Sequence, residues 1–177
     1  MAITLDGTAG LTLPGANTGV QVGSITLGTS QASTSGTNID FTGIPSWVKR
    51  ITVIFSGVST NGTSTRRIQI GAGSVTTSGY TCAFGYATTG VGSSTSTAGF
   101  DITNGSAAEA LSGHMTLTNV SGNIWVESAV FGTTGGTAGL YYSGGTVTLS
   151  GTLDRVRVTT LNGTDAFDAG TINILYE

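Results

Sequence analysis

Charge is scarce in this sequence. Asp, Glu, Lys and Arg together make up 8% of the 177 residues, as nine acids and six cations. So neutral a surface gains little solubility from like-charge repulsion, and it suits a stable assembly better than a solitary cytosolic enzyme. A formal net charge of −3 and a pI near 4.9 leave no basic surface for a phosphate backbone, so nucleic acid is not expected as a partner. Cysteine is nearly absent. Cys82 stands alone in "GYTCAFGY", with no Cys-x-x-Cys motif and no basic neighbour, and reads as a small buried hydrophobe in a fold without disulfides. Long apolar runs are missing as well. No stretch approaches the roughly 18 apolar residues of a membrane span, so no membrane insertion is expected. The opening "MAITLDGTAG" lacks the basic start and apolar run of a signal peptide, and export by the ordinary secretory route is not expected.

What the chain does have is glycine, at 29 positions, and a hydrophobic share of 38%. That share is enough for a sizeable core in one domain with an appendage. No segment repeats apolar residues at helical spacing; the alternation is that of strands. "WVKRITVIFSG" sets Ile51, Val53 and Phe55 on one face and Thr52, Ile54 and Ser56 on the other. "GHMTLTNV" alternates Met115 and Leu117 with His114, Thr116 and Thr118, and "GNIWVESAVFG" sets Ile124, Val126 and Val130 against Trp125, Glu127 and Phe131. The link "NVSGN" between these two is short enough for a hairpin loop. "RRIQIG", "GYTCAFGY", "AGFDIT", "AGLYYSG", "TVTLS" and "DRVRVTTL" read the same way. Short strands broken by Gly-rich turns predict an all-β fold: an antiparallel β-sandwich, jelly-roll-like.

The opening residues differ. Apolar pieces such as Ile3 and Leu5, Leu11 and Leu13, or Val20 and Val22 are separated by Gly, Thr and Asn. None can form a core of its own, so residues 1–36 are expected to be an extended N-terminal arm that gains order by pairing with sister chains or a larger particle. The composition shifts at "TSQASTSG", and residues 37–177 are expected to form the sandwich, a knob domain. The sequence ends on another alternating strand, Ile172, Ile174 and Tyr176.

"IDFTGIPSWVKRITVIFSGVSTNGTS", "LSGHMTLTNVSGNIWV" and "LSGTLDRVRVTTLNGTDAFDAGTINILYE", in that order and at that spacing, resemble the C-terminal domain of tailed-bacteriophage and prophage tail-fibre-like virion proteins. The similarity covers residues 37–177 and is most specific over the last 28 of them. "MAITLDGTAGLTLPG" is also similar, over a short stretch, to the start of phage fibre proteins. The resemblance implies a terminal knob whose sheet the last strand closes, a homotrimer, and contact with other virion proteins through the arm. It implies attachment to a host surface glycan or protein. The alternative is a capsid decoration, a head fibre or a baseplate-joining protein with no receptor.

Individual residues add candidates. Asp154, Asp165 and Asp168 fall in the closing motif, but "NGTDAFDAG" does not match the Asp-x-Asp-x-Asp-Gly calcium loop, and Asp is a natural turn residue. No metal is expected. His114, the sole histidine, would have to serve any Ser-His-Asp triad, yet neighbouring Ser112 lacks the Gly-x-Ser-x-Gly elbow. The Gly-rich stretches "GTTGGTAG" and "GVGSSTSTAG" precede no Lys-Ser/Thr and no helix, and read as loops, not nucleotide cradles. No catalytic residue, cofactor or enzyme activity is expected. Tyr80, Tyr86, Tyr141 and Tyr142 are the candidate receptor contacts, because sugar faces stack on aromatic rings. Adjacent Tyr141 and Tyr142 must point to opposite faces of a strand, one buried and one exposed. Trp47 and Trp125 sit in strand patterns and are expected in the core. Arg155, Arg157, Glu127 and His114 are the candidate subunit contacts, setting register near a shared axis. If a receptor is bound, the surface is expected on the loops of "GVSTNGTSTRR", "TTGVGSSTSTAG" and "GTTGGTAGLYYSGG".

Overall fold

The computed structural model describes residues 4–6, 10–12, 25–102 and 105–177. Every regular element among them is a strand, and every pairing is antiparallel. Two short strands, β1 (Thr4–Asp6) and β2 (Gly10–Thr12), pair with each other. The remaining residues of the expected arm up to 24 lie outside the described ones. Next come β3 (Thr26–Leu27), β4 (Gln31–Ala32), β5 (Ile39–Thr42), β6 (Arg50–Thr60), β7 (Arg66–Ala72) and β8 (Ser74–Val75). Then follow β9 (Thr81–Ala87), β10 (Val91–Ser96), β11 (Phe100–Asp101) and β12 (Ala110–Ser121). The last four are β13 (Ile124–Thr134), β14 (Gly139–Thr148), β15 (Arg155–Thr160) and β16 (Phe167–Tyr176). One sheet runs β10-β9-β14-β13-β12-β6-β16-β3, with β4 also on β16; the other runs β11-β7-β15-β5, with β8 on β7.

Alternation assigns the layers. Ile51, Val53 and Phe55 of β6, Met115 and Leu117 of β12 and Phe131 of β13 point inward from the large sheet. They join Ile39, Phe41, Ile68, Ile70, Val156 and Val158 of the small sheet in one apolar cluster. Each such side chain contributes about 1.5–3 kcal/mol by leaving water, and together they make the chain an antiparallel β-sandwich. In β13 the aromatic side of the alternation goes inside: Trp125 and Phe131 are buried, while Ile124, Val126 and Val130 face out.

The parity of β6 changes midway, from Ile51, Val53 and Phe55 to Val58 and Thr60. A bulge at Gly57, whose φ is +64°, takes up the extra residue. Both neighbours accommodate it. Ser112 of β12 accepts the Gly57 N–H at 2.9 Å, and Gly170 of β16 adopts φ +94° where a Cβ would come 2.4 Å from the Gly57 carbonyl oxygen.

Strand pairing starts earlier than the composition shift at 36 suggests. β3 and β4 lie along the outer edge of β16, with Gly28 N–H donating to Ile174 O at 2.7 Å and Ser33 N–H to Gly170 O at 3.0 Å. Two expectations are corrected. "VGSSTS" is not loop but the edge strand β10, held in register by β9. Trp47 is not in a strand; it sits in a turn, 42% exposed, tilted against Tyr176 at 6.0 Å.

The sandwich has two unlike ends. Segments 61–65, 88–90, 105–109, 135–138 and 161–166 gather at one of them. The other holds 43–49, 122–123 and 149–154, together with Thr26 paired to Tyr176. β16 spans the distance in ten residues, roughly 30 Å at strand rise.

Candidate functional site

At the first end, polar turn residues bind one another. Ser64 N–H donates to Asp165 Oδ2 at 2.8 Å, Asn162 Nδ2 donates to Asp165 Oδ1 at 2.7 Å, and Ala166 N–H donates to Asn61 Oδ1 at 2.9 Å. The Asn162 amide and then the Ser64 backbone hold the Asp165 carboxyl below its usual range. Beneath the loops lies a buried charge pair that sequence reasoning missed. Arg66 donates through Nη2 to the carbonyls of Ser106 and Glu109, both at 3.1 Å, and stands 3.8 Å from the Glu109 carboxylate. Burial lowers the Arg66 pKa and raises that of Glu109. The signal was present, since Arg66 shares parity with inward Ile68 and Ile70.

The four candidate tyrosines divide. Tyr80 is 2% exposed, its hydroxyl accepting from Ile70 N–H at 2.9 Å and donating to Thr76 O at 3.1 Å. Burial pushes its phenol up to about 12. Tyr141 is 4% exposed and donates to Glu109 Oε1 at 3.3 Å. Neither ring can stack on an external ligand, which corrects the expectation for both. Tyr86 is half-buried, 6.2 Å from the Tyr141 ring. Tyr142, its neighbour on β14, faces the other way and is 47% exposed. Its ring lies over Gly85 of β9, where a Cβ would come 2.9 Å from a ring carbon. Gly85, lacking a Cβ, thus makes room for Tyr142 in an aromatic–glycine cross-strand pair.

The four candidate subunit contacts do not share a surface. Arg155 is engaged by Asp154 at 2.7 Å and Arg157 by Asp40 at 2.7 Å, both on the small sheet. His114 is exposed on the large sheet. Glu127 points inward and is buried, so it is not a surface contact: its strand buries the face carrying Trp125 and Phe131, and Glu127 goes with them. The three aspartates of the closing motif also part. Asp154 caps Gly73 N–H, Asp165 braces the loops, and Asp168 accepts from Ser59 Oγ. Among the described residues no three His, Cys, Asp or Glu side chains come together as metal ligands. Cys82 is buried, and burial pushes its thiol up to about 12, so it is not a nucleophile at neutral pH.

The outer surface around Tyr142 remains. Cross-strand pairing builds a row Asn173–Ile54–His114–Val130–Tyr142–Gly85–Ser93 across seven strands. Leu140, Val130 and Val91 stand exposed beside Tyr142. Two residue pairs along the strands, Gly144 and Ala83 floor a shallow trench of about 430 Å³ with threonines on its sides, within the roughly 300–1,000 Å³ of small-ligand sites. Compared with known proteins, the chain matches no family model, and no curated protein and no solved structure is significantly similar to it.

Proposed function

We propose that this chain is a fibre-like protein of a tailed-bacteriophage particle, joined to other virion proteins through its N-terminal segment, and that its sandwich attaches the particle to the host cell surface. The observation that carries this reading is the polarity of the sandwich. The chain enters it at Thr26, beside Tyr176, and five Gly-, Ser-, Thr- and Asn-rich loop segments gather at the far end. Loops on a rigid sandwich can vary without disturbing the core beneath them. The phage setting is supported by the sequence resemblance over residues 37–177. Binding is favoured over chemistry because the carboxylates of the closing motif are occupied by backbone and hydroxyl donors. Three copies in a homotrimer would multiply weak contacts into firm attachment.

A second reading, a decoration, head-fibre or baseplate-joining subunit without a receptor, is favoured by one feature: exposed Ile124, Val126 and Val130 on one strand face, apolar enough to seat a neighbouring subunit. Competition separates the two. Purified full chain, added to host cells at micromolar concentration before the particles, is expected to coat the cells and slow adsorption. Cells left uncoated, with adsorption unchanged, would favour the structural subunit.

A further inference from the structure

The outer surface of β9, β10 and β14 combines three properties. First, it carries a half-exposed aromatic ring: Tyr142 packs over Gly85, where the missing Cβ leaves it room, and is 47% exposed. Second, the surface drops away next to the ring. At Gly144 an added Cβ would meet nothing within 4 Å, and its cross-strand partner is the small Ala83. Third, the rim carries neutral hydroxyls, those of Ser93, Thr81 and Thr95 being exposed. No Asp, Glu, Lys, Arg or His lines the trench or the cleft beside Tyr142.

We propose that this surface binds a neutral saccharide, with Tyr142 as the stacking platform, Gly144 and Ala83 as the floor beside it, and the Ser93, Thr81 and Thr95 hydroxyls as hydrogen-bonding partners. The proposal rests on the attachment reading and gives it a ligand class. Stacking on an amphipathic ring suits the apolar face of a sugar, and neutral hydroxyls suit its polar edge. An acidic ligand would lose its hydration without meeting a cation. Successive outward residues along β14, from Tyr142 to Gly144 to Thr146, are spaced by about 6.6 Å, so the surface is long enough for a short oligosaccharide.

The test uses purified full chain with neutral oligosaccharide probes (maltohexaose, chitotetraose and a galacto-oligosaccharide) and an oligogalacturonate as acidic control. Saturation-transfer NMR would read contact, and titration the affinity. Gly144→Val fills the trench without backbone strain, because its Cβ enters open space. It is expected to keep the melting temperature and lose binding by about tenfold or more, as is Tyr142→Ala, while Tyr142→Phe stays within about twofold of the parent. Failure of every neutral probe to bind at about 10 mM, preference for the acidic control, or full binding by Gly144→Val would overturn the proposal. The same variants carried on particles keep the two readings apart. Lost adsorption without saccharide binding makes the ligand a protein and removes the saccharide. Lost saccharide binding with normal adsorption removes the attachment role instead.

Discussion

Glu127 sits on the inner face of β13 between Trp125 and Ala129, 5% exposed. Ser143 Oγ donates to its Oε2 at 3.3 Å and the Cys82 thiol approaches its Oε1 at 3.9 Å. Among the described residues no cation pairs with it, and buried Arg67 is held by Asp101 at 2.8 Å. Burial therefore raises the Glu127 carboxyl from 4.5 to about 7. A raised acid favours the protonated folded state. Its contribution is fully present below the unfolded value and is lost as pH rises through the folded one, so stability should fall between about pH 4.5 and 7. Glu109, also raised by burial, acts in the same direction, and Asp154 and Asp165, both lowered, withdraw support only in stronger acid. Glu127→Gln is expected to flatten the neutral-side decline and to stabilise the protein at pH 8 by roughly 3 kcal/mol. Thermal melts of both proteins from pH 4 to 8 would check it; parallel curves would mean that Glu127 is not protonated in the fold. This residue also marks a limit of legibility. The alternation in β13 was plain, but three aliphatic residues opposed two aromatics. The face with the aromatics went inside because Trp and Phe bury more area than Val and Ile, and Glu127 was carried with it. Tyr141 and Tyr142, by contrast, are divided by strand alternation alone.

Among the strands, those with apolar alternation were legible and those without it were not. β6, β12, β13, β15 and β16 show inward residues at period two, whereas β10 exposes most of its residues and takes its order from β9. The strap formed by β3 and β4 was hidden for a similar reason: its few residues are mostly exposed, and what fixes them is the free edge of β16. A bare edge carrying Ile172 and Ile174 would be a template for pairing with other chains. A chain starting at residue 37 is accordingly expected to melt lower than one starting at residue 25 and to aggregate on concentration. Size-exclusion profiles and melts of the two would decide; equal behaviour would make the strap dispensable and the boundary at 36 the functional one.

For the whole molecule, the sandwich class followed from many short strands and Gly-rich turns, but the neighbours did not. β6 lies between β12 and β16, partners set by shape across long loops instead of by local pattern. The two unlike ends emerge only once that order is known, because the loops of the far end are scattered along the sequence and meet through pairing. The surface around Tyr142 begins near that end, where Leu140 pairs with Ala87 beside the 88–90 turn, and its trench runs along the strands toward the other end, to Thr81 and Thr146. If the sandwich attaches the particle to its host, the Thr26 end faces the particle and the loop end points away from it. Electron microscopy of particles labelled with gold-tagged antibody raised against this chain tests that placement most directly. Gold is expected at the tail tip or on tail fibres. Gold spread over the head, with none at the tail, would contradict attachment and make the chain a decoration of the capsid.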